Sequence, residues 1–184
     1  MFRAGPVLNN TLKRHSGRQY VVDKFISQEH IETLIESARW APSCYGDEPW
    51  RYVLCNKENN QESWDKLLSC LVEFNQGWAK TAPLLIAVIT KNTFGHNGQA
   101  NAWGPYDTGA ASMNICNVAV ELGLMAHQMA GFDPAAVSKA FGINEEYKVL
   151  SVMAVGYEVE NPTDLAERKR KPIEDLFFFG TFKN

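Results

Sequence analysis

The chain has 184 residues, 45% hydrophobic and 21% charged, with a net charge of −3. That is ample for a core and ordinary for a globular protein, which excludes a disordered or fibrous chain. The mild negative charge gives no reason to expect nucleic-acid binding, and the longest apolar run, from Leu84 to Ile89, is too short to span a membrane. In chain order, residues 6–14 read as a short helix ending in the basic stretch Arg14-His15-Ser16-Gly17-Arg18. Gln19 to Val22 is a short extended piece. Ser27 is a helix cap, with Ile31, Leu34, Ile35 and Ala38 at helical spacing behind it. That helix stops at Ala41-Pro42, because a residue before proline is pushed out of the helical region. A loop, Ala41 to Trp50, leads into a strand, Trp50 to Cys55.

A second helix is expected over roughly residues 60–73, marked by Trp64, Leu67, Leu68, Leu71 and Val72. Leu84 to Thr90 is continuously apolar and suits a strand covered on both faces. Residues 91–104 are polar and rich in Gly and Asn, and read as a mobile surface loop or a lid. A long helix over roughly 106–122 has apolar and small residues around most of its circumference, so it is buried on several sides. Leu124 to Ala130 reads as extended. Asp133-Pro134 starts another helix that ends near Gly142, and Val149 to Val159 is a strand. The tail carries Phe177, Phe178, Phe179 and Phe182, which need a surface to cover them: the chain's own core or a second copy.

Two basic clusters sit at the ends, Arg14 to Arg18 and Arg168 to Lys171. In an extended segment Arg14, Ser16 and Arg18 point the same way, and Arg donates to phosphate in a fork. Arg168 and Arg170 repeat that spacing. The alternative for each cluster is a solvated charged face. The loop Ala41 to Trp50 holds two prolines, a glycine, a thiol, a tyrosine, two acids and a tryptophan, more chemistry than a connector needs. His127 reads as a ligand contact or a hydrogen-bonded core residue. Asp107 is a ligand contact or a helix cap. Trp78 and Trp103 line either an aromatic pocket or a core edge. There is no dinucleotide fingerprint, no P-loop, no nucleophile elbow and no metal-ligand spacing. Cys44, Cys55, Cys70 and Cys116 lack the spacing of a metal or redox pair and read as free thiols in a reducing compartment. The N-terminus has no long apolar run, so no signal peptide is expected and the cytoplasm is the default. With no acid, base or nucleophile constellation, the pattern fits a class whose cofactor does the chemistry.

In order and spacing these segments resemble the nitroreductase-like flavoprotein family. Arg14-His15-Ser16-Gly17-Arg18 resembles its R-x-S-x-R, and Ala41 to Trp50 its A-P-S-x-x-N-x-Q-P-W. Met129-Ala130-Gly131-Phe132 resembles its A-x-G-[FW], and Arg168 to Pro172 its R-x-R-x-P. The resemblance implies an α+β, three-layer fold with a central mixed β-sheet flanked by helices, one domain over residues 1–184. It implies a homodimer in which residues 163–184 embrace the partner, with FMN at the interface. FMN phosphate contacts would be Arg14, Ser16, Arg18, Arg168 and Arg170, with His15 beside them. Pro42, Ser43, Cys44, Tyr45, Gly46 and Glu48 would approach the isoalloxazine from the other subunit. Met129, Ala130 and Gly131 would border the ring's other side. Gly46 and Glu48 depart from the usual Asn and Gln. The implied activity is hydride transfer from NADH or NADPH to FMN and on to a small nitroaromatic or quinone by a ping-pong mechanism. No metal is implied and no side chain need act as a catalytic acid. The alternatives are a non-catalytic FMN-binding or sensor module, or a specialised flavin reaction such as reductive dehalogenation or flavin breakdown.

Overall fold

The computed structural model describes residues 9–163 and 167–182. Its helices are α1 (Asn9–Lys13), α2 (Gln28–Arg39), α3 (Gln61–Ser69), α4 (Glu73–Ala79), α5 (Gly104–Glu121) and α6 (Pro134–Phe141). Its strands are β1 (Trp50–Asn56), β2 (Leu84–Lys91), β3 (Met125–Met129) and β4 (Tyr147–Gly156). Start and stop signals act as their chemistry dictates. Ser27 Oγ accepts the His30 N–H at 3.2 Å at the head of α2. Asp133 accepts the Ala135 and Ala136 N–H groups at 2.9 and 3.0 Å, and Gly142 closes α6 in the left-handed conformation.

The sheet order is β1-β2-β4-β3. All three pairings are antiparallel, which corrects the expected mixed sheet. β2 and β3 do run in the same direction, joined by α5, but β4 inserts between them and pairs with both. The three layers are present. Leu84, Ile86 and Val88 of β2 face α2 and α5, packing with Ile31, Leu34, Ala111 and Ile115. Leu85, Ala87 and Ile89 face the other way, towards α3, α4 and α6, with Trp64, Leu67, Ala79 and Val137. A bulge in β4 moves the partner of β2 from Ser151 at Val88 to Val149 at Ile89. The extra residue, Leu150, lets Val149 and Val152 share one face.

Differences from the expected elements are local. The helix expected over 6–14 is described only from Asn9, since residues 1–8 lie outside the described part. The helix expected over 60–73 ends at Ser69, and a separate helix that was not expected, α4, starts at Glu73. The chain turns at Cys70-Leu71-Val72, where the Asp133 N–H donates to Cys70 O and the Val72 N–H to Gly131 O. Residues 92–101 form a hydrogen-bonded hairpin rather than a loose loop.

A half-buried phenol and a buried thiol help set the alkaline limit. Burial pushes the Tyr52 phenol up to about 12, partly offset by its 3.2 Å hydrogen bond with Ser112 Oγ. Burial likewise pushes the Cys55 thiol up to about 11. Both folded-state values are raised, so the stabilisation is whole below the ordinary values of 9.0 for Cys and 10.0 for Tyr. It is lost as pH rises through the folded values, when the unfolded chain ionises first. The melting midpoint is therefore expected to fall steeply between about pH 9 and pH 12 in thermal scans. Tyr52→Phe should remove the upper part of that fall.

Candidate functional site

One cluster forms at the end of α1. Asn10 Nδ2 donates to Glu121 Oε2 at 2.6 Å, fixing α1 to the C-terminal end of α5. Beyond α1 the chain is extended. Gln19 to Val21 is clipped to the segment after β4, the Val21 N–H to Tyr157 O at 2.8 Å and the Val159 N–H to Gln19 O at 3.1 Å. Arg14 and Ser16 are therefore presented on one short stretch, with Arg14 Nη1 3.4 Å from Ser16 Oγ. Arg168 joins them from the far end of the sequence. Its guanidinium donates to Arg14 O at 2.6 Å and to Leu12 O, the carbonyls left over at a helix end. His15 sits 2.8 Å from Glu158 Oε1 and 2.9 Å from Lys13 O. Arg170 lies exposed, its Nη1 on Lys169 O.

Gly17 is the buried member of this stretch. A side chain there would meet Glu158 Oε1 and Met125 Sδ. Its carbonyl is bonded to His127 Nδ1 at 2.9 Å, and His127 stacks on Trp78 with centroids 4.6 Å apart. His127 and Trp78 are thus part of the support under the basic stretch. Arg18 reaches over the Phe74 ring of α4, 5.4 Å from its centroid. Next to Phe74, Asn75 Nδ2 donates to Gly131 O at 2.9 Å. α4 therefore brings Met129–Gly131 to the same region as Arg14–Arg18. The Met129 side chain is turned into the core, and Ala130 is exposed.

The loop Pro42–Glu48 forms a second, separate cluster. Tyr45, Gly46 and Glu48 take left-handed backbone angles, φ 57°, 66° and 47°. For Tyr and Glu that conformation is unfavourable and persists only where surrounding contacts impose it. Those contacts are visible. The Cys44 N–H donates to Asp107 Oδ2 at 2.9 Å, and the Glu48 N–H to Ser43 Oγ at 3.0 Å. The Gly46 N–H is engaged within the loop, on Ser43 O at 3.0 Å. Asp107 is buried in the first turn of α5, where the helix end favours a negative charge. It holds the loop to α5. Trp103 stands exposed nearby, edge-on to Tyr106.

The two clusters are far apart in one chain. The loop enters β1 at Trp50, which pairs with Thr90 at the end of β2. The basic stretch packs on Met125, which pairs with Gly156 at the opposite end of the sheet and on the opposite edge. Along α5, the anchor Asp107 and the anchor Glu121 are separated by about 21 Å.

Sequence reasoning left out Glu158, Asn75, Phe74 and Asp47. Glu158 and Asn75 act through long-range pairings with no local signature. Asp47 lies within the loop already singled out, yet its role depends on the hairpin it meets. The Gly95 N–H donates to its Oδ1 at 2.7 Å.

The whole chain has counterparts of known structure. A crystal structure of an oxidoreductase containing FMN is 32% identical, aligns over 99% of this chain and 96% of its own, and superposes with a TM-score of 0.89. A Staphylococcus haemolyticus protein provisionally named an NAD(P)H nitroreductase is 26% identical over 92% of this chain and 95% of its own. The major NAD(P)H-flavin oxidoreductase of Aliivibrio fischeri is 19% identical over 93% and 97%. Residues 11–157, which carry the end of α1, the strained loop, α4 and all four strands, match the nitroreductase family, and the chain belongs to that family.

Proposed function

We propose that the protein is an FMN-dependent oxidoreductase that takes hydride from NADH or NADPH and reduces a nitroaromatic, quinone or similar electron-poor acceptor. The observation that carries this reading is the convergence of Arg14, Ser16 and Arg168 at the end of α1, in a member of the nitroreductase family. The Arg14 guanidinium and the Ser16 hydroxyl on one short stretch, braced from behind by Arg168, are donors suited to a phosphomonoester. The residues present fit FMN. Arg14 and Ser16 would hold its phosphate, with Arg168 bracing the carbonyls behind them and Arg18 and Arg170 adding positive charge. The strained loop Pro42–Glu48 and the edge at Met129–Gly131 would flank the ring.

When bound, FMN supplies a two-electron carrier: a hydride from NAD(P)H and a solvent proton enter, and two electrons with two protons leave to the acceptor. The chain's own residues orient and bind. Arg14 and Ser16 fix the phosphate end, so the ring end is presented to the loop. The Gly46 N–H is committed to Ser43 O, so this position offers the flavin neither a side chain nor that amide. Because donor and acceptor share one face, turnover is ping-pong, donor product leaving before the acceptor enters.

A homodimer completes the site, the basic cluster of one chain meeting the loop of the other. The separation of the two clusters supports this, and so does the tail. Phe179 is 85% exposed and Phe182 72% exposed on the single chain, surfaces that a partner would cover. Of the 163–184 extension, the described residues 167–182 would then embrace the second copy, while 164–166 and 183–184 lie outside the described residues. Four free cysteines suit a reducing, cytoplasmic setting. Among the described residues no helix is long and apolar enough to cross a membrane.

The test is the absorption spectrum of purified protein, followed by anaerobic titration with each nicotinamide and light scattering for mass. Yellow protein of dimeric mass whose flavin bleaches with NADH or NADPH is expected. Protein that stays colourless after incubation with FMN overturns the reading.

A further inference from the structure

The hairpin 92–101 is built to stand against the loop. The Asn101 N–H donates to Asn92 O at 2.7 Å and the Phe94 N–H to Gln99 O at 2.8 Å, closing the hairpin. Its tip is fastened by the Gly95 N–H on Asp47 Oδ1, and the Asp47 side chain is only 7% exposed. There three rings meet at the surface. Tyr45 is edge-on to Phe94 at 5.7 Å and tilted to His96 at 5.3 Å, and Phe94 lies 5.3 Å from His96. Tyr45 is 83% exposed while its backbone is held at φ 57°. His96 Nδ1 also stands 3.9 Å from Asp47 Oδ1, so the same carboxylate orients this ring. A buried carboxylate and a strained backbone together present an aromatic face to solvent.

We infer that this hairpin is the cap over the acceptor, with Phe94 and His96, beside Tyr45, forming the face on which a planar electron-poor ring stacks. The inference rests on the proposed function, which sets the loop beside the flavin. Aromatic faces are electron-rich, so an electron-poor nitroaromatic or quinone ring is the complementary partner. Asp47 is a positioning residue that holds the hairpin at its distance from the loop. Phe94 and His96 are specificity residues, in contact with the acceptor and not with the phosphate end of the cofactor.

The experiment compares two acceptors on FMN-loaded protein reduced by whichever nicotinamide bleaches it. 1,4-Naphthoquinone is planar and stacks. Ferricyanide takes single electrons without stacking. Phe94→Ala/His96→Ala is expected to raise KM for naphthoquinone about tenfold relative to that for ferricyanide, the worth of an aromatic pair. Phe94→Tyr, which keeps a ring, restores the native KM ratio. An unchanged ratio in the double variant overturns the cap, as does loss of FMN from it, which would assign the rings to the cofactor instead. Native protein that binds FMN and bleaches separates the two readings, because an unchanged ratio then overturns the cap alone. Native protein that never binds FMN overturns the proposed function and the cap with it.

Discussion

Arg14→Ala is expected to weaken FMN binding by about two orders of magnitude while leaving the fold intact. Hydrogen bonds from a charged donor contribute about 1.5–3 kcal/mol each, and a forked guanidinium supplies two. Among the described residues the Arg14 side chain has one hydrogen bond, a long 3.4 Å contact to Ser16 Oγ, and it is not part of either core cluster, so its removal leaves the core undisturbed. Arg168→Ala separates the roles. Its guanidinium is spent on the carbonyls of Leu12 and Arg14, so its loss should lower both FMN affinity and the order of α1. Quenching of free FMN fluorescence on titration measures the affinity. A change under threefold for Arg14→Ala would remove Arg14 from the phosphate site. The native affinity should also fall as salt rises, because the contacts are exposed charges.

Gly104→Ala is expected to lower stability by about 1–3 kcal/mol, the range for forcing a methyl into a packed site. A Cβ at Gly104 would stand 2.7 Å from Thr90 Oγ1 and 2.8 Å from Lys91 O. Lys91 O belongs to the backbone at the end of β2 and cannot swing aside. The start of α5 must move instead, and it carries Asp107, which holds Cys44 and the strained loop. A single methyl should therefore depress the melting midpoint by about 3–10 °C and impair turnover together. Circular dichroism melts and steady-state assays read the two effects. A native melting midpoint would show that the helix start yields without cost.

Much of this was legible in the residues. Leu84 to Ile89 is apolar at every position because β2 is covered by helices on both faces. Ser27, Asp133 and Gly142 are local chemistry, and they end their helices where that chemistry acts. What escaped was relational. Glu73 to Ala79 contains Gly77 and the exposed Phe74, so it lacks a helical apolar stripe, yet it is α4, the element that joins Arg18 to Gly131. The antiparallel sheet was hidden because strand direction does not tell which strand is a neighbour. The polar, Gly- and Asn-rich stretch 91–104 gave no sign that Phe94 and His96 would meet Tyr45. Asp107 was weighed as a cap, but its carboxylate serves a loop 63 residues away in sequence.

The length of α5 has a genetic consequence. In the proposed dimer each chain gives its basic end to one site and its loop to the other. A chain crippled at Arg14 and a chain crippled in the loop are each inactive alone. Co-expressed, they form mixed dimers in which one site inherits both defects and the other inherits neither. Random pairing should return about a quarter of the sites to full strength. Two dead alleles would complement, because the helix between the two anchors keeps the halves of a site on different chains.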